Sequence, residues 1–243
     1  MVLHKLLGLP EREKHVVSLC GGGGKTTLMY ALARETKASL PTALFTTTHI
    51  YPPADEDIVL SVPFSETVCR MAWESGQIAG AGVYLTAEGK FRAPEEDAMR
   101  FLCTEAAAVF IESDGARRLP IKYPAAWEPV VREETTHTIV VAGLSALGQR
   151  PEDVVHRYAL ARDVIDLSGT VLTERQAAVL LWEGYRRFDP IFLINQADTP
   201  ELAECGERIC EMLRALGAHR AVAASLHALV GKRDRSGVIQ EAR

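Results

Sequence analysis

The sequence predicts an α/β fold, with three layers built around a mostly parallel sheet and a single domain over residues 1–243. Two observations carry that reading. Short apolar runs alternate with segments whose apolar residues recur at helical spacing, the pattern of parallel strands joined by helical crossovers. The composition is that of an ordinary globule, 47% apolar and 24% charged over 243 residues, and a chain this long buries roughly 70–75% of its unfolded surface without staples. No internal repeat, low-complexity tract or linker interrupts it.

"HVVSLC" (15–20) reads as a buried strand because it is almost continuously apolar. It runs into glycines and then "KTTLMYALARETK" (25–37), whose apolar spacing is helical. "TALFTTT" (42–48) is a second strand, rich in β-branched residues. A short strand at 58–62, a helix near 64–75 and a glycine-punctuated strand "IAGAGVYLT" (78–86) follow. A helix at 95–105 leads to "AAVFIE" (107–112), apolar until its last residue. "TIVVAG" (138–143) and "PIFLIN" (190–195) are further buried strands, with helices near 152–162 and 174–187 between them. A helix at 200–217 has Pro200 in its first turn and Gly217 past its end. "AVAAS" (221–225) closes the pattern as a last short strand.

The balance of charge narrows the function. Acidic residues number 32 against 27 basic, a net charge of −5, so the chain lacks the positive field of a general nucleic-acid binder. Its cysteines, Cys20, Cys69, Cys103, Cys205 and Cys210, are odd in number and scattered, which suits reduced thiols and fits no zinc or disulfide framework. The start "MVLHKLLGLPEREKH" is too charged for a signal peptide, and no run approaches the 18 or so apolar residues of a membrane span. A cytoplasmic protein with no membrane or nucleic-acid partner is expected.

The strongest chemical signal is "CGGGGKTT" (20–27), set between a strand and a helix. A phosphate-binding loop needs successive backbone N–H groups converging on oxygens at a helix N-terminus, whose dipole favours negative charge. Side chains would block that approach, hence Gly21, Gly22, Gly23 and Gly24. Lys25 reaches the terminal phosphates, Thr26 puts its hydroxyl on Mg²⁺, and Thr27 completes the binding segment. The loop is the short form G-x-x-G-K-T-T, since Leu19 stands where the longer motif has its first glycine. The competing reading is a turn that only links strand to helix.

"VFIESDGA" (109–116) supplies the acids. Nucleoside triphosphatases place a carboxylate at the end of a strand beside the loop strand, where it holds Mg²⁺ directly or through water. Glu112 ends the apolar run, and Asp114, two residues on along an extended chain, points the same way; both join Lys25 as candidate catalytic residues. Thr26 and Glu112 are the candidate metal ligands. Gly115 suits an amide facing the terminal phosphate, and this E-x-x-G pattern resembles the switch region of the metallochaperone branch of P-loop GTPases.

"FLINQAD" (192–198) resembles the N-K-x-D guanine-reading motif. Asn195 would tie its loop to the phosphate loop, and the Asp198 carboxylate would accept the N1–H and N2–H₂ pair of guanine. Gln196 replaces the lysine, its stem still able to cover a base, and Asp198 serves equally well as a cap for the helix at 200–217. The nucleotide therefore stays open between GTP and ATP. "TTTHIYPP" (46–53) offers Thr46, Thr47, Thr48 and His49 as switch-loop candidates. In "RRLPIKYPAAWEP" (117–129), Arg117, Arg118 and Lys122 are open between assisting phosphate charge and being solvated charges, and the solvated reading is favoured.

Taken together, "GGGGKTT", "TTTHIYPP", "ESDGARRLPIKYPAAWEP", "VVAGLSALG" and "LINQAD" resemble, in order and approximate spacing, the YqeC-like proteins. These are accessory proteins of selenium-dependent molybdenum hydroxylases. The resemblance covers residues from about 10 to 225, and its most specific part is the D-G-A-R…K-x-P…E-P continuation after the acidic strand. It implies a P-loop NTPase fold, Mg²⁺ with GTP or ATP as cofactors, and a protein client, the hydroxylase or its maturation machinery. Oligomeric state is open between monomer and homodimer. G-x-x-G-K-T-T also resembles the loop of Mur-type ATP-dependent ligases, whose extra substrate domains scarcely fit in this length. A third reading is a module that binds nucleotide or molybdopterin without turnover.

Overall fold

All seven residues of β1 (His15–Gly21) are buried, as expected of a strand covered on both faces. Alternation along it sets the layers. Val17 and Leu19 face one cluster with α1 (Val2–Leu7) and α2 (Lys25–Thr36). Val16 and Cys20 turn to the other side. The computed structural model describes residues 1–53, 55–85 and 89–231.

The sheet continues through β2 (Thr42–Thr46), β3 (Ile58–Ser61), β4 (Ile78–Ala81) and β5 (Ala108–Glu112). It is completed by β6 (His137–Gly143), β7 (Ile191–Asn195) and β8 (Arg220–Ala224). These eight strands run in the order β8-β7-β6-β1-β5-β2-β4-β3, with every neighbouring pair parallel. On the second face, α3 (Glu66–Glu74) and α4 (Glu96–Glu105) cover the β2–β5 half. The β6–β7 half packs against α5 (Pro151–Val154), α6 (Tyr158–Arg162), α7 (Glu174–Tyr185) and α8 (Pro200–Leu216). A last short helix, α9 (Leu226–Val230), returns to the first face through Leu226. The result is a three-layer α/β fold. No helix among the described residues is long and apolar enough to cross a membrane, and the five cysteines are free thiols.

Two expected elements are broken by tertiary contacts. The strand expected over 78–86 leaves the main sheet at Gly82, where a Cβ would stand 2.1 Å from the Phe91 ring. Val83–Leu85 instead pairs antiparallel with Lys90–Arg92, which pairs in turn with His49–Ile50, and Tyr84 meets Phe91 edge-on at 4.4 Å; residue 86 lies outside the described residues. The helix expected near 152–162 is interrupted because Val155–His156 pairs with Ile121–Lys122, after which Arg157 takes a left-handed φ of 65°. That small parallel pair brings Arg157 beside the loop that follows β5.

Candidate functional site

β1 ends directly in the glycine run, and α2 starts at Lys25 with Gly24 as its N-cap. The glycines serve close backbone packing, which the sequence alone did not reveal. A Cβ on Gly22 would stand 2.4 Å from the Leu119 carbonyl oxygen, and one on Gly23 would stand 2.4 Å from the Gly143 nitrogen. Gly23 also holds φ at +69°, a region L-residues avoid. The expectation that four successive amides face a ligand narrows. Gly21 N–H donates to Asp114 Oδ2 at 3.1 Å, and Gly22 N–H donates to the Val141 carbonyl at 2.8 Å. The amides of Gly23, Gly24, Lys25, Thr26 and Thr27 have no acceptor among the described residues, and the helix ladder begins with Leu28 N–H donating to Gly24 O at 2.9 Å, leaving the donor cluster characteristic of a helix start.

Lys25 lies inside this cradle, 5% exposed. Its Nζ donates to Gly21 O at 2.5 Å and stands 3.3 Å from Asp114 Oδ1 and 4.0 Å from Glu112 Oε1. Beside it, Thr26 Oγ1 donates to Glu112 Oε2 at 2.7 Å. β5 runs next to β1, with Glu112 level with Leu19, so the acid emerges at the loop. Burial pushes the Glu112 carboxyl up, against the pull of Lys25 and the Thr26 hydroxyl.

The two acids are not equivalent. Asp114 is fully enclosed: its Oδ2 accepts from Gly21 N–H and from Tyr185 Oη at 3.3 Å, and Lys122 Nζ stands 3.3 Å away. Its Oδ1 accepts no hydrogen bond. Lys122, read from sequence as solvated, is 0% exposed. It donates to Gly115 O at 2.7 Å and lies 3.2 Å from Glu128 Oε2, while Arg157 forks onto Glu128 at 2.7 and 2.9 Å. A chain of charge thus runs Lys25–Asp114–Lys122–Glu128–Arg157, buried as far as Lys122 and partly exposed at Glu128 and Arg157. The lysine lost its solvent because the chain from 113 to 129 folds back over the glycine loop and carries Glu128 to it.

Burial works to raise the Glu128 carboxyl, but the Arg157 fork, the Ala125 amide and Lys122 outweigh it and bring its pKa down to about 2. Its folded value lies below the unfolded one, so its stabilising effect is complete above about pH 4.5 and fades as pH falls towards 2. The stability gap between wild type and Glu128→Gln, followed by urea unfolding, is therefore expected to shrink through that window. A gap that stays constant from neutral pH to about pH 2 would contradict the charge chain.

The strand-end loop divides its donors. Thr46 Oγ1 donates to the Glu112 carbonyl at 2.9 Å and Thr47 Oγ1 to the Val130 carbonyl at 3.2 Å. Those two hydroxyls hold backbone. The Thr48 hydroxyl and the exposed His49 ring have no hydrogen-bond partner among the described residues.

At the end of β7, Asn195 Nδ2 donates to Gly23 O at 2.7 Å and its Oδ1 accepts from Leu226 N–H at 3.0 Å. Asp198 is exposed and accepts from Ser225 Oγ at 2.5 Å. The cap reading for Asp198 is corrected: Thr199 is the N-cap of α8, its side chain accepting from Leu202 N–H. Gln196, expected to cover a base, takes a φ of 70° and turns its carboxamide oxygen to Ser145 N–H at 3.0 Å. No cluster of three or more His, Cys, Asp or Glu among the described residues is arranged to hold a metal.

A family model described as YqeC protein matches residues 17–159, more than half of the chain. The chain belongs to the YqeC family. It is similar to the uncharacterized protein YqeC of Escherichia coli (strain K12), 28% identical over 173 residues that cover 65% of this chain and 63% of that relative. The match therefore spans less than two thirds of the relative's length. The stretch matched as YqeC holds the glycine loop, both acids, Lys122, Glu128 and Arg157, whereas Asn195, Asp198 and Ser225 lie beyond it. Sequence reasoning missed the roles of Glu128, Arg157 and Tyr185. The only signal was the K-x-P…E-P spacing, which marks a fixed loop but does not say that its lysine is buried.

Proposed function

We propose that this chain binds a nucleoside triphosphate, GTP or ATP, with Mg²⁺ at residues 21–27, and that the bound nucleotide drives an accessory role in maturing a selenium-dependent molybdenum hydroxylase. The observation that carries the nucleotide reading is a buried Lys25, bonded to the Gly21 carbonyl, in a loop whose amides from Gly23 to Thr27 lack protein acceptors, with Thr26 and Glu112 hydrogen-bonded at its side. The residues fit the metal: one hydroxyl and one carboxylate form the small oxygen set with which proteins hold Mg²⁺ alongside phosphate oxygens. When bound, Mg²⁺ supplies neutralisation of phosphate charge. Lys25 pairs with the terminal phosphates, Thr26 and Glu112 hold the metal, and Asp114 fixes Gly21 and the resting position of Lys25. Hydrolysis by water would rest on positioning and charge neutralisation. The loops at 46–53 and 112–129 meet over the site, which suits a change of shape that a client protein reads. The hydroxylase-maturation role rests on the sequence resemblance.

The test addresses the base. GTP and ATP are competed against a fluorescent nucleotide on wild type and on Asp198→Asn. A modest preference for GTP in wild type is expected, and it should be lost in the variant with ATP affinity unchanged, because the Asp198 carboxylate would accept the N1–H and N2–H₂ pair that adenine lacks. An unchanged GTP-to-ATP ratio removes Asp198 from base recognition. No competition by either nucleotide removes the proposal.

A further inference from the structure

Arg117 and Arg118 occupy a backbone conformation that arginine disfavours. Their φ angles are 50° and 65°, and Leu119 N–H closes onto Ala116 O at 2.9 Å. Positive φ at both central residues of a hydrogen-bonded turn is the type I′ arrangement, which normally takes Asn and Gly. A Cβ makes the left-handed region unfavourable. Nothing nearby offsets it, since both side chains are exposed and neither has an ion-pair partner among the described residues. The Arg118 guanidinium carbon lies 5.4 Å from the Tyr51 ring centre, on a tyrosine that is itself 55% exposed. A surface cation–π contact of that kind is weak.

Position gives the strain a meaning. The turn leaves Gly115 and exits through Leu119 and Pro120, whose carbonyls lie against Gly22 and Gly23, and Pro120 O accepts from Gly143 N–H at 2.8 Å. Arg118 is thus one residue, about 3.8 Å along the chain, from backbone in van der Waals contact with the glycine loop. Its guanidinium reaches the Tyr51 ring, at the end of the segment that follows Thr46 beside Glu112. Strained backbone of this kind concentrates at ligand clamps, and guanidinium is suited to bidentate contact with phosphate.

We infer that Arg118 contacts the terminal phosphate of the bound triphosphate, and that its strained turn is kept because it aims the guanidinium over the glycine loop. This rests on the nucleotide reading above. It adds Arg118 to Lys25 as a residue by which the site tells triphosphate from diphosphate.

The experiment measures the affinities of a slowly hydrolysed triphosphate analogue and of the matching diphosphate, each with Mg²⁺, on wild type, Arg118→Ala and Arg118→Gly. Melting points are recorded without nucleotide. The expected result is a triphosphate-to-diphosphate affinity ratio at least about tenfold lower in both variants, with diphosphate affinity unchanged. Arg118→Gly should also melt higher than wild type, because glycine accepts the left-handed turn. A merely structural arginine would move the melting point and leave the ratio alone. A wild-type ratio in both variants overturns the inference with the nucleotide reading intact. A wild type that binds neither nucleotide overturns both.

Discussion

Replacing Lys122 by Met is expected to cost about 3–5 kcal/mol of folding stability, the range for removing one partner from a buried charge pair. Lys122 is fully buried and stands 3.3 Å from Asp114 and 3.2 Å from Glu128. Without it, Asp114 keeps Gly21 N–H and the Tyr185 hydroxyl, and Lys25 remains 3.3 Å from its other oxygen. Glu128 keeps Arg157. The carbonyl of Gly115 loses its donor outright. Urea unfolding measures the loss, and pairing the change with Asp114→Asn should recover part of it, because the neutral amide no longer needs a counter-charge. A loss under about 1 kcal/mol would mean that the lysine is solvated.

Lys25→Ala is expected to lower triphosphate affinity at least about 100-fold, or roughly 2.7 kcal/mol, since several charge-assisted hydrogen bonds end on one ammonium group. Wild type at a nucleotide concentration 100 times its Kd should gain about 2.7 kcal/mol of stability, a rise of roughly 5–10 °C in melting point for a chain of this size. At the same concentration the variant should gain no more than about 0.4 kcal/mol, a rise of roughly 1 °C. Its melting point without nucleotide should move as well, because Lys25 also neutralises Asp114 and Glu112 in their buried setting. Protection equal to that of wild type would remove Lys25 from the site.

The strand–loop–helix unit was legible because both signals are local. Parallel strands buried on two faces leave near-continuous apolar runs, as in Val16–Cys20, broken only by Ser18, and Ala108–Ile111, and a lysine after consecutive glycines announces the loop. What stayed hidden depends on residues distant in sequence. Gly82 ends a strand because Phe91 occupies its Cβ space. The helical pattern around 152–162 breaks because Val155–His156 finds Ile121–Lys122. Lys122 reads as solvated until Asp114 and Glu128 are seen on either side of it. The turn at Arg117–Arg118 carries no glycine or asparagine to mark it, so its left-handed backbone was unreadable. Asp198 reads as the cap of the helix at 200–217, but the geometry gives that place to its neighbour Thr199.

Calorimetric titration of the wild-type chain with a slowly hydrolysed GTP or ATP analogue, with and without Mg²⁺ and repeated on Lys25→Ala, tests the central claim most directly. One saturable site per chain is expected, tighter with Mg²⁺ and abolished by the lysine change. Absence of binding for both analogues, or equal binding by the Lys25 variant, would contradict a nucleotide site at the glycine loop.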